Sequence, residues 1–198
     1  MFLKRTLMVV AAIVASAGIA FSANLPLQTG PVDPGNLRGV INALIQSINT
    51  GVGGLINAQT AAVSTGATTA ETTLQTYTLP GGTLSTAGQS VRVTCWGGTG
   101  ANANNKTMKL YFGASVVTTP TAGTNNKGWT LDYVAMRRTA TTQGFNGNGL
   151  VDTTAVTPNT ADGSETLASN IVIKCTGTNG AASASDITAQ GMVVELIK

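Results

Sequence analysis

The chain has 198 residues, of which 10% are charged and 42% hydrophobic. That balance excludes a disordered, charge-stretched polymer, and the small charge total leaves no dense basic face for nucleic acid. Histidine is absent and only two cysteines occur. The commonest general base, the usual triad partner and the commonest zinc ligand are therefore missing, and a cysteine-only metal site is out of reach.

The net charge is +3, and two of the eleven basic residues are Lys4 and Arg5 near the start. Beyond residues 1–22, nine basic residues face eight acidic ones, a balance of +1, and Arg137-Arg138 is the only basic doublet. Residues 1–23 have the layout of a secretory leader: the positive pair, an apolar stretch over 7–19, and the small residues Ala20 and Ser22 at the −3 and −1 positions before Ala23. The same stretch also suits an uncleaved hydrophobic anchor. In that case residues 1–23 would be the only route to a membrane.

Residues 24–35 hold three prolines and two glycines, which predicts an extended arm. Over 36–64 the apolar residues Leu37, Ile41, Leu44, Ile48 and Leu55 recur at helical spacing, with Asn36 as N-cap and glycines 51, 53 and 54 as interruptions. The pattern predicts a short amphipathic helix. A helix of that length is marginal alone in water, so its stripe is expected to associate with copies of itself or, as the alternative, to dock against the chain's own β-domain.

From Leu74 onward the period becomes two. Val91, Val93 and Cys95 alternate with Arg92, Thr94 and Trp96; Met108, Leu110 and Phe112 with Thr107, Lys109 and Tyr111; Ile171, Ile173 and Cys175 with Val172, Lys174 and Thr176. Segments 129–136 and 192–197 are also strand-like. Glycine- and asparagine-rich clusters at 80–82, 97–100, 124–128 and 144–149 read as turns between them. The expected fold class is all-β, an antiparallel β-sandwich of jelly-roll type over 71–198, preceded by a leader (1–23) and an arm with an oligomerisation helix (24–70). Cys95 and Cys175 fall on the apolar sides of their strands, so a disulfide and a pair of buried thiols are both compatible with the pattern.

No constellation points to catalysis. The stretch from Gly100 to Thr107 approaches a phosphate-binding loop, but Asn105 replaces the second glycine and Lys106 opens a strand where the motif requires a helix. The eight carboxylates are scattered, and no spacing pairs any two of them, Asp132 with Glu195 for instance. Asp162-Gly163-Ser164-Glu165 offers two carboxylates where a calcium loop wants several oxygens. The expectation is a protein that is not an enzyme, without cofactor or metal. Trp96 and Tyr111, on the polar sides of their strands, suit a second packed face, a subunit contact or, with Trp129, a ligand platform, in that order.

The blocks 78–93 (TLPGGTLSTAGQSVRV), 101–113 (ANANNKTMKLYFG) and 184–196 (ASDITAQGMVVEL), with the opening 25–37 (LPLQTGPVDPGNL), resemble jelly-roll domains of tailed-bacteriophage fibre and head-decoration proteins. The resemblance covers most of the chain beyond residue 24. It implies a homotrimeric virion accessory protein, attached through arm and helix, whose partners are itself, other virion proteins or a host-surface glycan. A secreted bacterial surface or filament subunit, or a carbohydrate-binding module exported by the leader, is the alternative.

Overall fold

The computed structural model describes residues 53–122, 125–159 and 162–197. Thirteen strands occur there: β1 (Gly54–Gln59), β2 (Val63–Ser64), β3 (Thr72–Leu79), β4 (Ser90–Thr99), β5 (Lys106–Phe112), β6 (Ser115–Thr118), β7 (Thr121–Ala122), β8 (Gly128–Arg137), β9 (Gln143–Val151), β10 (Thr154–Asn159), β11 (Asp162–Gly163), β12 (Ile171–Asn179) and β13 (Ile187–Ile197). All pairings are antiparallel. The larger sheet runs β1-β13-β4-β8-β9-β10, with β2 on β13 and β11 on β9; the smaller runs β3-β12-β5-β6, with β7 on β5. The described residues are thus all-β, built on two antiparallel sheets.

Alternation decides what each sheet buries. Successive side chains point to opposite faces, so Val91, Val93 and Cys95 of β4, Leu131, Tyr133 and Ala135 of β8, and Met192 and Val194 of β13 turn inward together. Met108, Leu110 and Phe112 of β5 and Ile171, Ile173 and Cys175 of β12 come from the other sheet into the same core. Cys95 and Cys175, left open by the sequence, form a disulfide joining the two sheets, with Cα atoms 6.6 Å apart. Beside it Phe112 meets Tyr133 and Phe145 edge-on, at centroid distances of 6.3 and 5.8 Å. The buried Tyr133 hydroxyl donates to the carbonyl of Tyr111 (3.2 Å), and burial pushes its pKa well above the usual range.

Three expectations change. The helical pattern over 36–64 does not extend through Leu55: residues 54–59 form β1, where Leu55 stands opposite Glu195 of β13 and is 62% exposed. A sheet edge carries unpaired N–H and C=O groups, and β1 satisfies those of β13. Glycine suits the start of this strand, since Gly54 takes φ 140°, a conformation that other residues rarely adopt. Strand pairing therefore begins at residue 54, inside the segment expected to be arm and helix. The leader, the arm and the stripe residues Leu37, Ile41, Leu44 and Ile48 lie outside the described residues.

The second and third changes are at glycine clusters. Residues 97–99 continue β4, and 144–149 lie within β9, where turns were expected. In both places glycine marks a close approach. A Cβ on Gly97 would overlap the Thr188 carbonyl and lie 2.7 Å from the Trp129 ring, and one on Gly147 would lie 2.5 Å from the Val117 carbonyl in the opposite sheet.

Candidate functional site

Many polar side chains are tied into structural bonds, and one group on a sheet face lies open beside an aromatic ring. On the outer face of the smaller sheet, Glu71 precedes β3 and reaches across β12 to β5. Its Oε1 accepts from the hydroxyls of Tyr111 (2.7 Å) and Thr176 (2.6 Å), and its Oε2 lies 3.1 Å from Lys109 Nζ. Partial burial works to raise the Glu71 pKa. The three hydrogen bonds and the Lys109 charge outweigh it and bring the group down to about 2. Lys174 Nζ sits 4.4 Å from the centroid of the Tyr111 ring. Tyr111 is 9% exposed under this cover, so it forms part of a packed outer layer and presents no open ring face.

At one end of the core, the asparagine-rich loop before β5 closes on Lys106. The side chain is fully buried, and Nζ donates to the carbonyls of Asn102 (2.7 Å) and Asn104 (2.9 Å) and to Asn102 Oδ1 (3.0 Å). The amides of Asn102 and Asn104 in turn donate to Asp186. Burial works against the Asp186 charge, but these bonds, one from Ser183 and the Lys106 charge hold its pKa below the usual range. The near-match to a phosphate-binding loop is therefore a lysine-centred loop closure at the start of a strand.

The remaining carboxylates are mostly engaged as well. Arg138 Nη1 donates to both oxygens of Asp162 (2.6 and 2.7 Å), while Glu165 accepts from the backbone N–H of Ala114 (2.6 Å), so the two ends of the calcium-like segment serve different partners. Lys127 pairs with Asp152 at 3.1 Å, and Arg92 with Glu195 at 4.0 Å. Asp132 and Glu195 share the outer face of the larger sheet but stand on strands separated by β4. Among the described residues no group of three His, Cys, Asp or Glu side chains converges.

The open set lies on that same outer face. Trp96 of β4 points outward and is half-buried, and its indole lies over Gly191 of β13, where a Cβ would come within 2.5 Å of the ring. Register carries the row on through Thr130 of β8 and Leu150 of β9, the latter 45% exposed. The adjacent row holds Thr94, Asp132 and Asn148. The side chains of Thr94, Thr130, Asp132 and Asn148 have no hydrogen-bond partner among the described residues. A cleft of about 350 Å³ opens there, lined by Trp96, Gly97, Gly128, Trp129, Thr130, Leu150 and Asp152.

The structure thus separates the three expected platform aromatics. Trp96 is at the open face. Trp129 is 3% exposed, packs over Gly97 and donates its indole N–H to the Gly98 carbonyl (3.1 Å), so only its edge reaches the cleft. Tyr111 belongs to the opposite sheet. Thr130 and Asp132 carried a readable signal, since they alternate with the apolar Leu131 and Tyr133. Asn148 and Leu150 did not, because they lie in the glycine-rich run that imitates a turn.

The class defined by these observations is an all-β protein with antiparallel sheets and one open, mixed polar and aromatic sheet face. No protein-family model matches the sequence, and no curated protein matches it. Among solved structures the chain is similar to the CBM2 module of an evolved Dit protein from Lactobacillus casei BL23 phage J-1. Identity is 10%, coverage is 61% of this chain and 67% of that one, and the TM-score is 0.28.

Proposed function

We propose that the chain is a non-enzymatic jelly-roll β-sandwich that acts by assembly and surface binding, as a trimeric bacteriophage virion accessory protein. The observation that carries the binding part is the outer face of the larger sheet, where Thr94, Thr130, Asp132 and Asn148 gather beside the half-buried Trp96 without hydrogen-bond partners among the described residues. Groups bound into structural networks are poor proton-transfer agents, and an open sheet face offers shape and adhesion instead. Strand order supports the jelly roll. With β1, β3, β4, β5, β6, β8, β12 and β13 numbered 1 to 8, the sheets run 1-8-3-6 and 2-7-4-5, and β9 and β10 extend one edge. The stripe Leu37, Ile41, Leu44 and Ile48 supports assembly about a threefold axis.

Two measurements test this reading. Light scattering is expected to give a trimer for residues 24–198 and a monomer for residues 53–198, and a monomer for both removes the trimer. Antibody against the β-domain is expected to decorate purified phage particles in electron micrographs, and free protein without particle labelling removes the virion assignment. The leader pattern of residues 1–23 favours one other reading, an exported bacterial surface or filament subunit or carbohydrate-binding module. An intact mass that starts at Ala23 would support that reading.

A further inference from the structure

We infer that the outer face of the larger sheet around Trp96 is a binding site for a neutral saccharide, with the indole as stacking platform and Thr94, Thr130, Asp132 and Asn148 as hydrogen-bonding partners. This inference rests on the surface-binding reading above and names the ligand class. The C–H face of a pyranose ring is apolar and slightly positive, and it packs on the negative face of an aromatic ring, while hydroxyls around its rim need donors and acceptors. The Trp96 face supplies both in that arrangement. Gly191 leaves room for the indole to lie against the β13 backbone, so the ring is held low on the sheet.

The row Trp96, Thr130 and Leu150 crosses three strands, and the Thr94, Asp132 and Asn148 row runs beside it. With neighbouring strands about 4.8 Å apart, the two rows make a platform roughly 10 Å long, enough for a short oligosaccharide laid across the strands.

Charge selects a neutral ligand. The cations bordering the face are each matched, Arg92 by Glu195 and Lys127 by Asp152. Asp132 adds an acceptor with no ion-pair partner among the described residues. A phosphorylated or acidic polymer would meet net negative charge. A neutral sugar meets a carboxylate that accepts from hydroxyls, an amide that both donates and accepts, and two hydroxyls. The exposed Leu150 and the rim of the cleft complete an apolar patch next to the ring.

The test uses the full chain and a panel of neutral gluco-, manno-, galacto- and chito-oligosaccharides, read by calorimetry and tryptophan fluorescence. Saturable binding of at least one of them is expected. Trp96→Ala should weaken it about tenfold or more, and Asp132→Ala or Asn148→Ala about threefold or more. Trp96→Tyr, which keeps a stacking ring, should retain most of the affinity, and it keeps the test sound if Trp96→Ala unfolds. Val172→Thr, on the outer face of the smaller sheet, should leave binding unchanged. Absence of saturable binding across the panel overturns the inference, as does a folded Trp96→Ala variant that binds as before. If Trp96→Ala instead lowers the oligomeric state without touching sugar binding, the face belongs to a second copy of the chain and the inference is equally wrong. None of these failures alters the outcome of the trimer and particle-labelling measurements, so the broader reading stands or falls separately.

Discussion

Cys95 in the larger sheet is bonded to Cys175 in the smaller one, 80 residues later in the chain. Both sulfurs sit in the core, next to apolar side chains drawn from both sheets. The bridge therefore closes a long loop in the unfolded chain while replacing two small hydrophobes in the folded one. Loops of this length give a stabilisation of about 2–4 kcal/mol. The double variant Cys95→Ala/Cys175→Ala is expected to lose that amount in chemical denaturation, and the wild-type chain should lose a similar amount under reductant. A change below about 1 kcal/mol in both experiments would mean that the core alone carries the sheet pairing.

Acid sensitivity should centre on Glu71. Its folded pKa of about 2 lies below the usual glutamate value of 4.5, so the stabilisation is complete above pH 4.5 and disappears as pH falls toward 2. The full shift corresponds to about 3 kcal/mol. A third of the side chain is in water, so screening leaves on the order of 1–2 kcal/mol. Glu71→Gln should cost that much at neutral pH and flatten the decline of stability between pH 4.5 and 2. Asp186 is shifted in the same direction and adds a slope that survives the substitution. An unchanged acid limb in Glu71→Gln would refute this account.

The strands of the core were legible because alternation is a two-residue signal that burial on one face enforces: Val91, Val93 and Cys95, Met108, Leu110 and Phe112, and Ile171, Ile173 and Cys175 all point inward as their parity requires. Glycine runs were misread. At Gly97 and Gly147 the residue is selected by the nearness of another backbone, a tertiary fact that leaves no local mark separating it from a turn glycine. Leu55 was misread for a related reason, since the edge of β13 that recruits β1 lies more than a hundred residues away along the chain. At the candidate site, the parity of Trp96, Thr130 and Asp132 was readable. Their gathering with Asn148 and Leu150 depends on the register of β8 against β9.

Lys106 is expected to be structural. Its ammonium donates to the Asn102 and Asn104 carbonyls, and it stands beside the ionised Asp186. Lys106→Met keeps most of the apolar stem and removes the charge, leaving those oxygens without their donor. The expected loss is about 2–4 kcal/mol, with raised hydrogen exchange at residues 100–106. Lys106→Arg should not rescue stability, since a planar guanidinium does not fit a closure built around a point donor.

Two glycines on neighbouring strands should respond to very different degrees to the same added methyl. In Gly97→Ala the new Cβ meets the Thr188 carbonyl and the buried Trp129 ring, both fixed by the core, so strand β4 must move. A loss of about 2 kcal/mol or more is expected, read as a lower thermal midpoint. In Gly191→Ala the methyl meets the outer part of the Trp96 indole, 2.5 Å away, and the Gln59 carbonyl of the edge strand β1 at 3.0 Å. That ring can swing outward, so the stability change should stay within about 1 kcal/mol while the ring becomes more accessible. Acrylamide quenching resolves the two tryptophans, since Trp129 is 3% exposed and silent to it. Gly191→Ala should raise quenching markedly with a nearly unchanged midpoint. Equal destabilisation in both variants would show that the Trp96 ring is locked against β13 and has no freedom to yield.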